Sequence, residues 1–187
     1  MHMSQTHGRW TADEVQRLPD DGWRYEVIDG DLLMTPAPSY RHQYAAGELF
    51  ALLLPYGKRV GLQVVVAPAA VRYAPRTEVQ PDVFVLPLRR DGRRPDRFSD
   101  VGRLTLAVEV LSPSTARSDR LRKRRLYQEQ SVPEYWVVDM DGRSVERWRP
   151  ASVEAEVFRE VLDWRPVAGH EPLAIDLIEY FRTVCDS

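Results

Sequence analysis

The stretch LTLAVEVLSPST, residues 104–115, has the pattern of a core strand but contains a carboxylate, Glu109. With a period of two, Leu106 and Val108 share one face, while Ala107 and Glu109 share the other. Because both faces are otherwise apolar, we predict a strand within the hydrophobic core. A carboxylate at such a position is costly unless a metal ion, a cation or hydrogen-bond donors compensate it. The function of the chain therefore depends on what lies next to Glu109.

The composition is that of an ordinary folded protein. The chain has 187 residues, of which 43% are hydrophobic and 29% charged, and we expect one domain spanning residues 1–187. Its single cysteine, Cys185, cannot form an internal disulfide. No apolar run has the length of a signal peptide or a membrane span, so we expect a cytoplasmic protein without a membrane partner. The net charge of −2 means that any nucleic-acid binding must be local.

The order of predicted elements favours an α/β or α+β fold. A capping box at Thr11 and Glu14 predicts a short helix over residues 11–18, and Asp29-Gly30 predicts the turn of an N-terminal β-hairpin. The remaining predictions are helices over 39–54, 118–130 and near 176–184, and strands over 62–67, 69–73, 82–87, 104–111, 134–139 and 144–149. We expect a central mixed β-sheet flanked by helices, with parallel strands on either side of the helix over 118–130.

The first candidate partner of Glu109 is Asp82, at the start of the strand DVFVL. Taken alone, Pro81-Asp82 is typical of a turn. Two carboxylates on neighbouring strands, however, form an oxygen-rich site of the kind that magnesium prefers.

The second candidate is Lys123, in the run RLRKRR. Of the 26 basic residues only two are lysine, Lys58 and Lys123, so a lysine among arginines indicates a role that guanidinium cannot perform. On a helix, Lys123 shares its face with Leu126, Tyr127 and Gln130, which favours an inward orientation. The alternative is a lysine that lies along the helix edge with its ammonium group in water.

These phrases resemble a known family. QPDVFVL followed by AVEVLSPST resembles the PD-(D/E)xK nuclease superfamily. More narrowly, YEVIDGDLLMTPAPSYRHQ, VQPDVFVL and VEVLSPSTARSDRLRKRRLYQEQSVPEYWVVD together resemble the Uma-two family of restriction-endonuclease-like proteins, over residues 24–148. The resemblance implies a restriction-endonuclease-like core and an Mg²⁺-dependent endonuclease that acts on DNA, with Mn²⁺ as a substitute metal.

The resemblance also assigns roles to residues. It makes Asp82 and Glu109 metal ligands, with the backbone carbonyl of Val110 as a third. Leu111 stands where the motif lysine is expected, and the resemblance implies that Lys123 on the following helix replaces it. Asp82, Glu109 and Lys123 are therefore the predicted catalytic residues.

Several further residues are candidates for supporting roles. Each has a structural alternative, such as packing, hydrogen bonding or exposure to solvent. These residues are Glu26, His42, Glu48, Tyr127 and Gln130.

Two arginine-rich segments are candidate phosphate contacts beside the site. Their alternative is a solvated loop and a solvated helix face. The residues concerned are Arg93, Arg94, Arg120, Arg122, Arg124 and Arg125. A homodimer would explain how one site per chain cuts both strands of a duplex.

Two other functions remain open at this level. The chain could be a catalytically inactive nuclease fold that binds nucleic acid or a protein partner, which Leu111 favours. It could also be a small metal-dependent hydrolase that acts on another substrate, in which case no salt-sensitive DNA affinity is expected.

Overall fold

The structure of the protein is a computed structural model, which describes residues 8–88, 92–93, 101 and 103–186. The helices are α1 (Ala12–Val15), α2 (Tyr40–Arg59), α3 (Ala116–Ser118), α4 (Arg124–Glu129) and α5 (Leu177–Cys185), with a π-helical turn at Asp119–Lys123. The strands are β1 (Trp23–Ile28), β2 (Asp31–Pro36), β3 (Leu62–Val66), β4 (Val71–Ala74), β5 (Thr77–Val79), β6 (Val83–Pro87), β7 (Leu106–Val110), β8 (Glu134–Asp139), β9 (Ser144–Trp148), β10 (Glu156–Phe158), β11 (Val161–Trp164) and β12 (Leu173–Asp176).

A six-stranded mixed sheet forms the centre of the fold. Its order is β10-β9-β8-β7-β6-β3, and β7 pairs parallel with β8, while the other neighbouring pairs are antiparallel. A second sheet has the order β2-β1-β5-β4, and β11 pairs with β12. The predicted mixed sheet flanked by helices is therefore confirmed, as is the parallel pair around the helical segment that carries Lys123.

The central sheet is covered on both faces. On one face, β7 contributes Leu106, Val108 and Val110 to a large apolar cluster that also contains residues of α2 and α5. On the other face, Ala107 and Leu111 join a second cluster under α4 and the four-stranded sheet. Since β7 is buried on both sides, its near-continuous apolar sequence is explained by its central position.

The first helix and the first hairpin turn lie where the sequence predicts them. Thr11 and Glu14 form the capping box of α1, and the β1–β2 turn places Asp29 and Gly30 at φ values of 54° and 84°. This left-handed conformation is the one that Asp-Gly accepts readily in a two-residue hairpin turn.

Other boundaries differ from the prediction. Helix α2 continues through Pro55 to Arg59, because Tyr56 and Gly57 are buried beyond the proline and packing outweighs the lost hydrogen bond. The helix expected over 118–130 is divided by the π-helical turn. The sequence analysis missed β5, β10, β11 and β12, which have only three or four residues each.

No helix in the described part of the chain is long and apolar enough to cross a membrane.

Candidate active site

Asp82 and Glu109 lie on adjacent antiparallel strands. Val83 of β6 is paired with Val108 of β7, so the two carboxylates, one residue further out on each strand, come to the same edge of the sheet. Both are almost fully buried, with exposures of 2% and 1%. The backbone N–H of Val110 donates to Asp82 Oδ2 at 2.8 Å, which ties the aspartate to the end of β7.

Lys123 is the central cation of this site. Its Nζ lies 2.9 Å from Glu109 Oε1, 3.0 Å from Glu26 Oε1 and 3.8 Å from Asp119 Oδ1. Tyr127, one turn further along, donates from its hydroxyl to Glu109 Oε1 at 3.2 Å. The lysine is 2% exposed, so the alternative of an ammonium group in water is wrong.

The π-helical turn brings Asp119 and Lys123 into the site together. A π-helical turn within a helical segment is frequent at functional sites, since it changes which side chains share a face. Tyr135 of β8 holds the turn by donating from its hydroxyl to the backbone carbonyl of Asp119 at 3.1 Å. Asp119 is buried, and its Oδ1 has no hydrogen-bond partner among the described residues.

Arg24 and His42 complete the surroundings of Asp82. The Arg24 guanidinium lies 2.8 Å from Asp82 Oδ1, and His42 Nε2 lies 3.2 Å from Asp82 Oδ2 and 2.9 Å from the carbonyl oxygen of Val110. Both neighbours of His42 Nε2 are acceptors, so this nitrogen carries the hydrogen. His42 Nδ1 is buried without a partner in the described part of the chain.

The buried charges do not balance. The site contains four carboxylates, those of Glu26, Asp82, Glu109 and Asp119, and two permanent cations, those of Arg24 and Lys123. Ionisation of all four acids would exceed the charges of Arg24 and Lys123 by two negative charges.

The pKa values of the site are shifted first by burial and then by the neighbouring charges. Burial raises the pKa of Glu109 well above its usual range, although Lys123 opposes the shift, and burial raises the pKa of Asp119 to about 6. Burial would also raise the pKa of Asp82, but the hydrogen bond from His42 and the charge of Arg24 outweigh it and hold this pKa well below its ordinary value. Burial opposes the charge of Lys123, yet the three adjacent carboxylates raise the pKa of Lys123, which remains protonated.

The donor set fits a hard divalent cation in charge and in atom type. Asp82, Glu109 and the Val110 carbonyl provide only oxygen ligands, and two positive charges would neutralise the excess. Within the described residues, no group of three or more His, Cys, Asp or Glu side chains is placed to hold a metal ion. Mg²⁺ commonly takes one or two carboxylates and keeps several water ligands, and two carboxylates with one carbonyl oxygen match that pattern.

Two clefts reach this buried site from either side of the start of α2. The first, of about 480 Å³, contains Arg41, His42, Leu111, Ser112 and Arg120 in its lining. The second, of about 500 Å³, contains Trp23, Arg24, Pro38, Gln43 and Gln80. His42 and Arg24 thus separate Asp82 from the two clefts.

The arginines of the Lys123 segment hold this segment in place. Arg120 forms ion pairs with Asp139 and Glu146, and Arg124 lies over the ring of Trp148 at 4.6 Å. On the other side of the segment, Arg122 lies 3.5 Å from Asp31, and Arg125 pairs with Glu129. The segment therefore contacts the β8–β9 hairpin on one side and the β1–β2 hairpin on the other. Each of these four arginines already has an intramolecular contact.

The other predicted site residues lie outside the cluster. Glu48 is on α2 beside Tyr44, and Gln130 is an exposed residue at the end of α4. Arg93 is exposed, and Arg94 lies outside the described residues. Arg24 and Asp119 are cluster residues that the sequence analysis missed. Glu26 is a carboxylate in an otherwise apolar part of β1, and Arg24 lies two residues before it. That position was the available sequence signal for Arg24.

A mixed sheet that places two carboxylates at one edge, opposite a buried lysine, defines a nuclease-like α+β protein. The family model of Uma2, described as "Putative restriction endonuclease", matches residues 12–175, and the chain belongs to this family. The match extends beyond the segment in which the resemblance was predicted.

A solved structure shares the fold. It is a protein of Anabaena variabilis ATCC 29413 described as "a putative nuclease belonging to DUF820", with a TM-score of 0.76 and 19% identity, and the alignment covers 94% of this chain and 99% of the other. At this identity, the likeness concerns the fold. A comparison with proteins of curated function found no match.

Proposed function

We propose that this protein is a metal-dependent nuclease that hydrolyses phosphodiester bonds in nucleic acid, with DNA as the substrate and Mg²⁺ as the metal. The observation that carries the proposal is the convergence of Asp82, Glu109 and Lys123 in one buried cluster. The family description and the name of the structural neighbour agree with it.

The metal would be held by Asp82, Glu109 and the carbonyl oxygen of Val110. When bound, it would lower the pKa of a coordinated water and neutralise charge that grows on the scissile phosphate. Lys123 stays protonated, so it presents a positive charge that orients the attacking water or stabilises the transition state. The hydrogen bond from Tyr127 holds Glu109 in position, and the contact with Glu26 holds the ammonium group of Lys123.

Reaction requires a local rearrangement. The acids are 1–2% exposed, and Arg24 and His42 occupy the oxygen atoms of Asp82 and Val110 that a metal would use. In the described part of the chain, Arg24 and His42 stand between Asp82 and the two clefts, so access from either cleft requires one of these side chains to move. Contacts in metal-free sites often rearrange in this way before they reach the reactive geometry.

A cleavage assay with matched variants tests the proposal. Supercoiled, linear and single-stranded DNA, together with RNA, are incubated with Mg²⁺ or Mn²⁺ and the wild type, Asp82→Asn, Glu109→Gln or Lys123→Met. Two control variants are Glu134→Gln, a partly buried carboxylate that hydrogen-bonds Trp136, and Lys58→Met, the exposed second lysine. Metal binding is measured separately by titration calorimetry.

The proposed function predicts loss of cleavage in the three site variants, because each removes a ligand or the cation, and retention in both controls. We expect the carboxylate variants, but not Lys58→Met, to lose metal binding as well. A folded wild type that binds DNA but cuts no substrate would instead favour the inactive nuclease fold. Metal-dependent hydrolysis without any DNA affinity would favour a hydrolase of another substrate class.

A further inference from the structure

The second cleft beside the site, which we name the Trp23 cleft, has no assigned role. It lies between the start of β1, the loop after β2 and the segment after β3, and its volume is about 500 Å³. That volume is within the range of pockets that bind small organic groups. Trp23, at its rim, is 41% exposed, although a large aromatic side chain is normally covered.

The lining combines apolar surface with amide groups. Leu18, Pro38, Ala67 and Pro68 provide apolar walls beside the tryptophan ring. Three glutamines, Gln16, Gln43 and Gln80, also line the cleft. The amide nitrogens of Gln16 and Gln80 already donate to Glu78 and to the carbonyl oxygen of Tyr25, and their side-chain carbonyl oxygens can accept hydrogen bonds. A planar ligand with apolar faces and a polar edge would find a partner for each part of its surface.

The charges in the lining favour a neutral ligand over a phosphate. Arg24 is the cation that lines the cleft, and its charge is already used by Asp82, whose Oδ1 is 2.8 Å away. Asp20 and Glu78 also line the cleft, and they would repel an anion. Arg24 Nε has no acceptor in the part of the chain that the structure describes, but this atom is buried and does not face the open cleft.

Arg24 also connects the cleft to the acidic cluster. One of its guanidinium nitrogens contacts both Asp82 Oδ1 and the carbonyl oxygen of Gln80, while the N–H of Gln80 donates to Glu26 at 2.6 Å. The Trp23 cleft is therefore lined by the residue that pairs with the proposed metal ligand Asp82.

We propose that the Trp23 cleft binds an unstacked nucleobase next to the scissile phosphate, an inference that rests on the proposed function. Trp23 stacks on the base, while the glutamines contact its polar edge. Such stacking on aromatic side chains is a common way to hold single-stranded nucleic acid. A base in a duplex is not available for stacking, so the protein prefers substrates with an unpaired nucleotide at the cleavage position.

The test measures binding of fluorescent 15-nucleotide DNA by anisotropy in Ca²⁺ buffer, with a gel to verify that the DNA stays intact. The proteins are the wild type, Trp23→Ala, Trp23→Phe and the control Ile178→Ala, which removes an exposed apolar side chain from α5. A series of oligonucleotides carries one abasic site, moved along the strand. Circular dichroism verifies that each variant is folded.

We expect Trp23→Ala to lose roughly tenfold in affinity for single-stranded DNA and less for duplex DNA, with Trp23→Phe close to the wild type. One abasic position should weaken the wild type by a similar factor and leave Trp23→Ala unchanged, because the base and the ring then act as one contact. Ile178→Ala should bind like the wild type.

Two results would overturn the inference in distinguishable ways. If the wild type binds DNA but Trp23→Ala binds equally well, or remains sensitive to every abasic position, the cleft holds no base and the proposed nuclease function is unaffected. If the wild type binds no nucleic acid at all, the proposed function fails and this inference fails with it.

Discussion

Both faces of strand β7 are buried, but one packs against apolar side chains and the other includes a charged network. On the α2 and α5 side, Leu106, Val108 and Val110 pack only among apolar side chains. On the other side, Glu109 lies in a network of four carboxylates and two cations. Apolar burial stabilises a fold in proportion to the apolar area removed from water. Buried charges stabilise it only where their mutual attraction exceeds the free energy lost when they leave water.

The difference separates stability from chemistry. The apolar face contributes stability that depends little on pH, because most of its contacts are between apolar side chains. The charged face contributes little net stability, but it places a protonated lysine and two carboxylates where a substrate could use them. Each of the four substitutions below changes one side of this comparison.

The largest effect is expected from Lys123→Met, which removes the cation and keeps the length of the side chain. The three carboxylates around it would then be buried without compensation, so we expect a loss of about 4 kcal/mol in the free energy of unfolding at pH 8. At pH 5 the loss should be smaller, because Glu109 and Asp119 can take up protons. Urea unfolding at pH 5 and pH 8 measures the free energy of unfolding, with Lys58→Met as the control. Equal losses at the two pH values would contradict the predicted role of Glu109 and Asp119.

The apolar face should respond differently to Leu53→Ala. Leu53 has 0% exposure, and its truncation should cost about 3 kcal/mol through lost burial and a remaining cavity. The loss should be the same at pH 5 and pH 8. Its neighbour Leu52 is 41% exposed, so Leu52→Ala is a matched control that should unfold close to the wild type. A pH-dependent loss for Leu53→Ala would show that the two faces are coupled.

Asp119→Asn isolates one titrating group of the charged face. Its carboxyl has a folded-state pKa of about 6 against an ordinary value of 3.8, so the folded state binds the proton more tightly than the unfolded state. That preference makes wild-type stability fall as pH rises through this window. In metal-free buffer, we expect the stability of Asp119→Asn relative to the wild type to rise by roughly 2 kcal/mol between pH 4 and pH 7. A constant difference across this range would mean that the pKa of Asp119 is not raised.

The smallest effect on stability is expected from Arg125→Ala. This exposed arginine pairs with Glu129 on the same helix, and exposed pairs contribute little. The unfolding midpoint should not change measurably, but if Arg125 contacts a phosphate, the salt dependence of DNA binding should weaken by about one ion. The matched control is Arg182→Ala, which breaks a similar exposed pair with Glu179 on α5. Equal loss of DNA affinity in both variants would argue against binding beside α4.

Much of the site could be predicted because each of its main residues breaks a local pattern. Glu109 interrupts an apolar strand, Asp82 begins one, and Lys123 is a lysine in an arginine run. Arg24 and Asp119 break no such pattern, since charged residues at a strand start and in a polar helix are ordinary. Gln130 fitted the helical face of Lys123 but lies outside the site, because α4 ends at Glu129 and Gln130 is an exposed residue at its C-terminus.

The sequence by itself determined the longer strands, the hairpin turn, the central mixed sheet and the presence of carboxylates inside it. These follow from periodicity and turn chemistry, which act between residues a few positions apart. Only the tertiary structure decided which groups compensate those carboxylates. Arg24 lies 58 residues from Asp82 and His42 lies 68 from Val110, and their contacts exist only after the sheets and α2 have packed. Burial creates the need for compensation locally, but the groups that satisfy it come from distant parts of the chain.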